Sequence, residues 1–113
     1  MTMTVVTATI PANGSLSTAV QIPDAIELRR IVMPAAWSSA GLSFQVSLDN
    51  VTYNDLFDAK GLELNYPVQP GTAVVVDVKN RMTGTWVRLR SGTRDHPVNQ
   101  SAIRAFTLGL APK

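Results

Sequence analysis

The sequence predicts an all-β domain, an antiparallel β-sandwich that is jelly-roll-like, with about eight or nine strands. Three observations lead there. Short apolar stretches alternate with turn-forming residues at a spacing of roughly ten residues from one end to the other. No window keeps the period of about 3.6 residues that marks an amphipathic helix. The 113 residues are 45% hydrophobic and 16% charged, a balance that lets one core close without metal or disulfide staples. Residues 1–113 therefore read as a single domain, with residues 1–6 as a possible N-terminal arm, because that stretch carries no turn signal and is apolar enough to add to a sheet edge.

The Thr/Val-rich segment 4–10 is the first strand, ended by Pro11-Ala-Asn-Gly14, where Asn and Gly supply the positive φ of a tight turn. Segment 15–22 is expected to return as its partner. Pro23 and Asp24 separate it from 25–33, where Ile26 and Leu28 share one face and Glu27 and Arg29 the other. Ile31 and Met33 resume the alternation only if a bulge near Arg29 and Arg30 shifts the register. Residues 34–41 read as a loop containing Trp37. The clearest strand is 42–48, with Leu42, Phe44, Val46 and Leu48 inward and Ser43, Gln45 and Ser47 on a wet face. Asp49-Asn50 is a hairpin turn from which 52–58 pairs back. Segment 62–66 is short. Residues 73–78, dense in β-branched valine, are the expected central strand. Trp86-Val-Arg-Leu-Arg90 places Val87 and Leu89 on one face and Trp86, Arg88 and Arg90 on the other. The final segment, 102–110, turns Phe106, Leu108 and Leu110 inward.

Ten Lys and Arg against eight Asp and Glu leave a net charge of +2, too little to predict a nucleic-acid partner. The basic residues are mostly Arg, with Lys60, Lys79 and Lys113 the lysines, and arginine is favoured at protein contacts. There are no cysteines. The first residues lack a basic start with an apolar core and cleavage site, and no apolar run reaches the ~20 residues of a bilayer span, so neither secretion nor a membrane is expected.

Chemistry is sparse. His96, the single histidine, lies in Thr93-Arg-Asp-His-Pro97 beside Asp95, with Ser91 and Ser101 nearby. Adjacent Asp and His side chains point apart and do not meet as a triad requires, so no catalytic residue is assigned. A hydrolase would show itself by loss of turnover in His96→Ala. Asp49, Asp55 and Asp58 do not have the spacing of a calcium loop, and turn capping accounts for them. Gly71, Gly84 and Gly92 stand singly, without the clustered glycines of a phosphate loop. No metal and no cofactor is expected. The interaction candidates are Trp37, Trp86, Arg88, Arg90 and Arg94. Trp86 with Arg88 and Arg90 suits stacking on a sugar, gripping a phosphate or anchoring a protein; cross-strand pairing of both arginines with acids is the alternative.

Two segments carry a resemblance. Ser43-Phe-Gln-Val-Ser-Leu-Asp-Asn-Val-Thr-Tyr53 with Asp55-Leu-Phe-Asp58 resembles a hairpin found in many sandwich modules, galactose-binding-like domains among them, with Asn50 where that hairpin usually has Gly. Trp86-Val-Arg-Leu-Arg-Ser-Gly-Thr93 followed by Pro97-Val-Asn-Gln-Ser-Ala102 resembles small virion accessory proteins of tailed bacteriophages, of similar length. That resemblance implies a non-enzymatic structural protein of the virion, synthesised in the bacterial host cytoplasm. A capsid decoration or cement protein fits first, and a neck or tail accessory second. Its implied partners are the major capsid protein or other virion proteins, with a homo-oligomer expected. A carbohydrate-binding module using Trp37 or Trp86 as a platform is the alternative, with a glycan as partner.

Overall fold

Nine strands form, several of them shorter than the alternation predicts, in a computed structural model that describes residues 3–113 apart from the side chain of Val78. They are β1 Thr4–Ile10, β2 Val20–Ile22, β3 Ile26–Val32, β4 Leu42–Ser47, β5 Asn54–Asp55, β6 Asn65–Tyr66, β7 Ala73–Val75, β8 Thr85–Ser91 and β9 Arg104–Pro112. A 3-10 turn, Val78–Asn80, follows β7, and Asp77 caps it by accepting from the Lys79 N–H at 3.0 Å.

Two antiparallel sheets result, one ordered β1-β9-β3-β7 and the other β2-β8-β4-β5, with β6 also pairing β4. We call them sheets A and B. The pairings nest: β1 with β9, β2 with β8, β3 with β7, and β4 with β5 and β6. The chain is thus a two-stranded ribbon folded back at the hairpin after β4 and rolled up, with β3 against β9 and β4 against β8 closing the sheets. That is the jelly-roll arrangement. Between the sheets lie Ala8, Ile10, Ile22, Leu28, Ile31, Leu42, Phe44, Val87, Leu89, Phe106 and Leu108, each at most 1% exposed.

The bulge expected at Arg29 and Arg30 is present: β3 runs in register with β9 at Leu28↔Leu110 and resumes at Arg30↔Gly109. It lets Leu28 and Ile31, three positions apart, both point inward. Three expectations need correction. Segment 15–22 does not return against β1; β2 pairs β8 in the other sheet. Ser15 and Ser17 already run beside β8, since the Ser91 N–H donates to Ser15 O and the Ser17 N–H to Leu89 O, each at 2.8 Å. Segment 73–78 is not a central strand. β7 is a three-residue edge, Val75 is 63% exposed, and only Val74 and Val76 turn towards the core. The inner strands of sheet A are β9 and β3, and the outward residues of β9 are small. Leu48 is not a core residue either: β4 stops at Ser47, and Leu48 is 82% exposed in the following turn.

Of residues 1–6, expected as an arm, Met1 and Thr2 lie outside the described residues, and Thr4, Val5 and Val6 pair with Leu110, Gly109 and Leu108 of β9. Among the described residues no helix is long and apolar enough to cross a membrane.

Candidate functional site

Each sheet turns one face outward, and the two faces differ in chemistry. The outer face of sheet B follows from alternation on β8 and β4, whose partners Arg90↔Ser43, Arg88↔Gln45 and Trp86↔Ser47 lie opposite each other. It is not the wet face expected for β4, because Ser43 and Ser47 are buried. Arg90 covers Ser43. Its Nε donates to Ser43 Oγ at 2.9 Å, Nη1 to Asp55 and Nη2 to Glu63 at 2.7 Å, and Ser43 Oγ in turn donates to Gly92 O at 2.7 Å. The Arg90 side chain is 6% exposed. Hydrogen bonding from that guanidinium is the main cause that holds the Asp55 carboxyl below its usual range.

Arg94 lies beside the same cluster, with Nε 3.3 Å from Asp55 Oδ2 and its N–H donating to Glu63 at 2.8 Å. Arg88 takes another course, stacking 3.8 Å over the centre of the Tyr53 ring. Tyr53 donates to Asn50 Oδ1 in the turn. Trp86 is half-buried between Gln21 and Ser47. Trp37 stands apart from this group. Its ring meets Phe106 edge-on at 5.5 Å and its Nε1 donates to Ala40 O, so it seals the core rather than offering a platform. The structure therefore brings Trp86, Arg88, Arg90 and Arg94 onto one face and leaves Trp37 out.

The 48–53 turn beside this face is built by Asp49. Its Oδ1 accepts from the Val51 and Thr52 N–H groups at 2.9 Å each and from Ser47 Oγ at 3.0 Å. These bonds, that of Thr52 first, lower its pKa. Asp58 caps the next turn by accepting from Lys60 and Leu62, and its carboxyl is lowered likewise, the Leu62 N–H contributing most. Two of the three aspartates considered for calcium are thus turn caps, and Asp55 is paired with arginine. Among the described residues no three His, Cys, Asp or Glu side chains gather around one point. His96 is exposed, and its main chain is what bonds, to Thr93 at 3.2 Å in both directions. Ser91 is buried with its hydroxyl accepting from Gln100 at 2.8 Å, so the pieces of a triad are not assembled.

The outer face of sheet A was not visible in the sequence. Register places two straight rows across its four strands: Ala73, Val32, Thr107 and Thr7, then Val75, Arg30, Gly109 and Val5. Val5, Val32 and Val75 are 66%, 41% and 63% exposed. In the second row Gly109 is buried and leaves room for the Met3 side chain; a Cβ there would lie 3.0 Å from Met3 Sδ. Arg30 is the one charge in these rows, and its Nη1 is turned onto Arg29 O at 2.9 Å. The valines sit on strands far apart in sequence, so local patterning carries no sign of them. The outward small residues Ala105, Thr107, Gly109 and Ala111 of β9 are the nearest thing to a signal.

At one end of this face Glu27 accepts from Arg29 at 3.1 Å and from Arg81 at 2.5 Å, the latter contact being the first cause of its lowered pKa. A hollow of about 650 Å³ opens elsewhere, between 56–64 and 77–82, with Leu56, Leu64 and Met82 as apolar lining and Asp58, Asp77 and Lys79 among its polar groups. No protein-family model, curated protein or solved structure matches the chain.

Proposed function

We propose that this chain is a structural, non-catalytic component of a tailed-bacteriophage virion, a capsid decoration or cement protein that docks on the outer shell through the outer face of sheet A. The observation that carries the reading is the pair of rows of mostly small side chains on that face, with one charge, turned aside, among eight positions. Small Thr, Val, Ala and Gly side chains lose little rotamer freedom when covered, and few charges need stripping of water. A sheet face of this kind suits repeated docking on a protein lattice. The resemblance of segments 86–93 and 97–102 to virion accessory proteins supplies the assembly, with the major capsid protein as partner and a neck or tail position as the variant of the same reading.

Cryo-electron microscopy of purified particles tests it. The expected result is density for this sandwich at repeated sites on the shell, sheet A inward, and loss of that density when Val32→Glu is carried by the virus. Absence of the protein from purified particles overturns the reading.

A carbohydrate-binding module is the second reading, favoured by Trp86 lying beside the Arg88 and Tyr53 stack. With Trp37 committed to Phe106, it rests on Trp86 alone. Glycan-array binding that disappears in Trp86→Ala would favour it over docking through sheet A.

A further inference from the structure

Asp24 is the first charged side chain in the sequence, so β1 is built wholly from uncharged residues, and it stands at the edge of sheet A. Sheet edges are ordinarily blunted by shortness, proline or inward and outward charge. Three of the four edges here are. β7 and β2 have three residues each, β2 running into Pro23, and β5 and β6 have two each, with the charges of Asp55 in β5 and of Glu63 two residues before β6. β1 has seven residues and none of these devices.

The direction of its hydrogen-bonding groups can be read from Thr9. Thr9 O accepts from the Thr18 N–H at 2.9 Å and Thr9 N–H donates to Thr18 Oγ1 at 3.1 Å, so both main-chain groups of Thr9 point away from β9. By the alternation of an antiparallel ladder, the N–H and C=O of Val5 and Thr7 point the same way. Among the described residues nothing covers them. The open window thus holds two donors and two acceptors, bounded at one end by Thr18.

We infer that β1 pairs antiparallel with β1 of a second copy across a two-fold axis, joining the two A sheets into one of eight strands. With Val5 opposite Thr7 of the second copy and Thr7 opposite its Val5, four hydrogen bonds form and every open group in the window is used. Val6 meets its own counterpart on the axis. Thr9 takes no part, because Thr18 fills the lane beside it, and the pairing ends where β1 of the second copy begins, at Thr4. A two-fold contact sets like against like, which penalises a charged edge and leaves an uncharged one unopposed. The outer face of sheet A is doubled by the same union. The pairing is independent of whether the larger assembly is a virion.

The test is solution mass by sedimentation equilibrium, with four variants of the whole chain. Wild type is expected at twice its 12.2 kDa, in a concentration-dependent equilibrium. Val5→Pro removes an outward N–H from each copy without touching the bonds to β9, and weakens the dimer about thirtyfold. Val5→Lys, at a position 66% exposed, places like charges diagonally across the axis and weakens the dimer, more at low salt than at high, while keeping the melting temperature that wild type has at concentrations where it is monomeric. Since the chain has no cysteine, Val6→Cys forms a disulfide-linked dimer on mild oxidation, while Val75→Cys on the opposite edge does not. A monomeric wild type over a series reaching about 1 mM, or a dimer indifferent to both Val5 variants, overturns the inference.

Discussion

Arg88 and Arg90 sit one pleat apart on β8, face the same way, and end in different environments. Arg90 is covered by Asp55, Glu63 and Ser43, whereas Arg88 lies over a tyrosine ring at the surface. Replacing Arg90 leaves two carboxylates and a serine hydroxyl facing one another under little solvent. Arg90→Met is therefore expected to cost about 3 kcal/mol, the lower end for breaking a buried pair, because Asp55 and Glu63 keep some access to water. Arg88→Met gives up one surface cation–π contact, about 0.5 to 1 kcal/mol. Urea denaturation midpoints of the two variants check the difference; equal losses would mean that the Arg90 cluster is no more than surface pairing. At this scale the sequence offered both fates for the two arginines, and local pattern had no means of dividing them. Gln100 lay wholly beyond it. The side chain is 0% exposed, its Oε1 accepting from Ser38 N–H and Arg104 Nε and its Nε2 donating to Ser38 O and Ser91 Oγ. Its main partner is 62 residues away, a distance over which a glutamine in a polar stretch gives no sign of being a core clamp.

The strands themselves were legible where one face is buried and the other is not. β1, β4, β8 and β9 fall within a residue or two of their expected bounds, and the bulge in β3 was forced by Leu28 and Ile31 needing the same side. Valine density misled at β7, because β-branched residues favour any strand and do not say whether it is central or at an edge. What separates the two is the residue-by-residue alternation of burial. Val76 is 0% exposed and Val75 63%. Val76→Ala should therefore cost about 2 kcal/mol and Val75→Ala no more than about 0.5 kcal/mol, measured as shifts in thermal midpoint. Similar losses at the two positions would place β7 in the interior after all. The outer face of sheet A escaped the sequence for a related reason: its exposed valines come from β1, β3 and β7, and register alone sets them in rows.

Over the whole molecule, the nested ribbon makes the two ends of the chain neighbours, with Thr4 opposite Leu110, so most pairings close long loops and folding is expected in milliseconds to seconds. The carboxylates are placed where the ribbon turns or its layers meet. Asp49 and Asp58 cap the turns on either side of β5. Asp55 ties β5 to β8, and Glu27 ties β3 to Arg81 beyond β7. All four have folded pKa values lowered from 3.8 for the aspartates and 4.5 for Glu27, by hydrogen bonds from Thr52, Leu62, Arg90 and Arg81 respectively. A carboxylate lowered on folding binds its proton more readily in the unfolded chain. Its contribution is fully present above the unfolded value and is lost as pH falls through the folded one. Stability should therefore hold level from neutral pH to about 5 and decline from about 4.5 downward. Asp55→Asn keeps the shape but weakens the bond to Arg90, so it should be less stable than wild type at pH 7 and lose less on going to pH 3. Urea midpoints across that range decide the matter: parallel acid losses in wild type and Asp55→Asn would show that the Arg90 pairing does not set the acid limit.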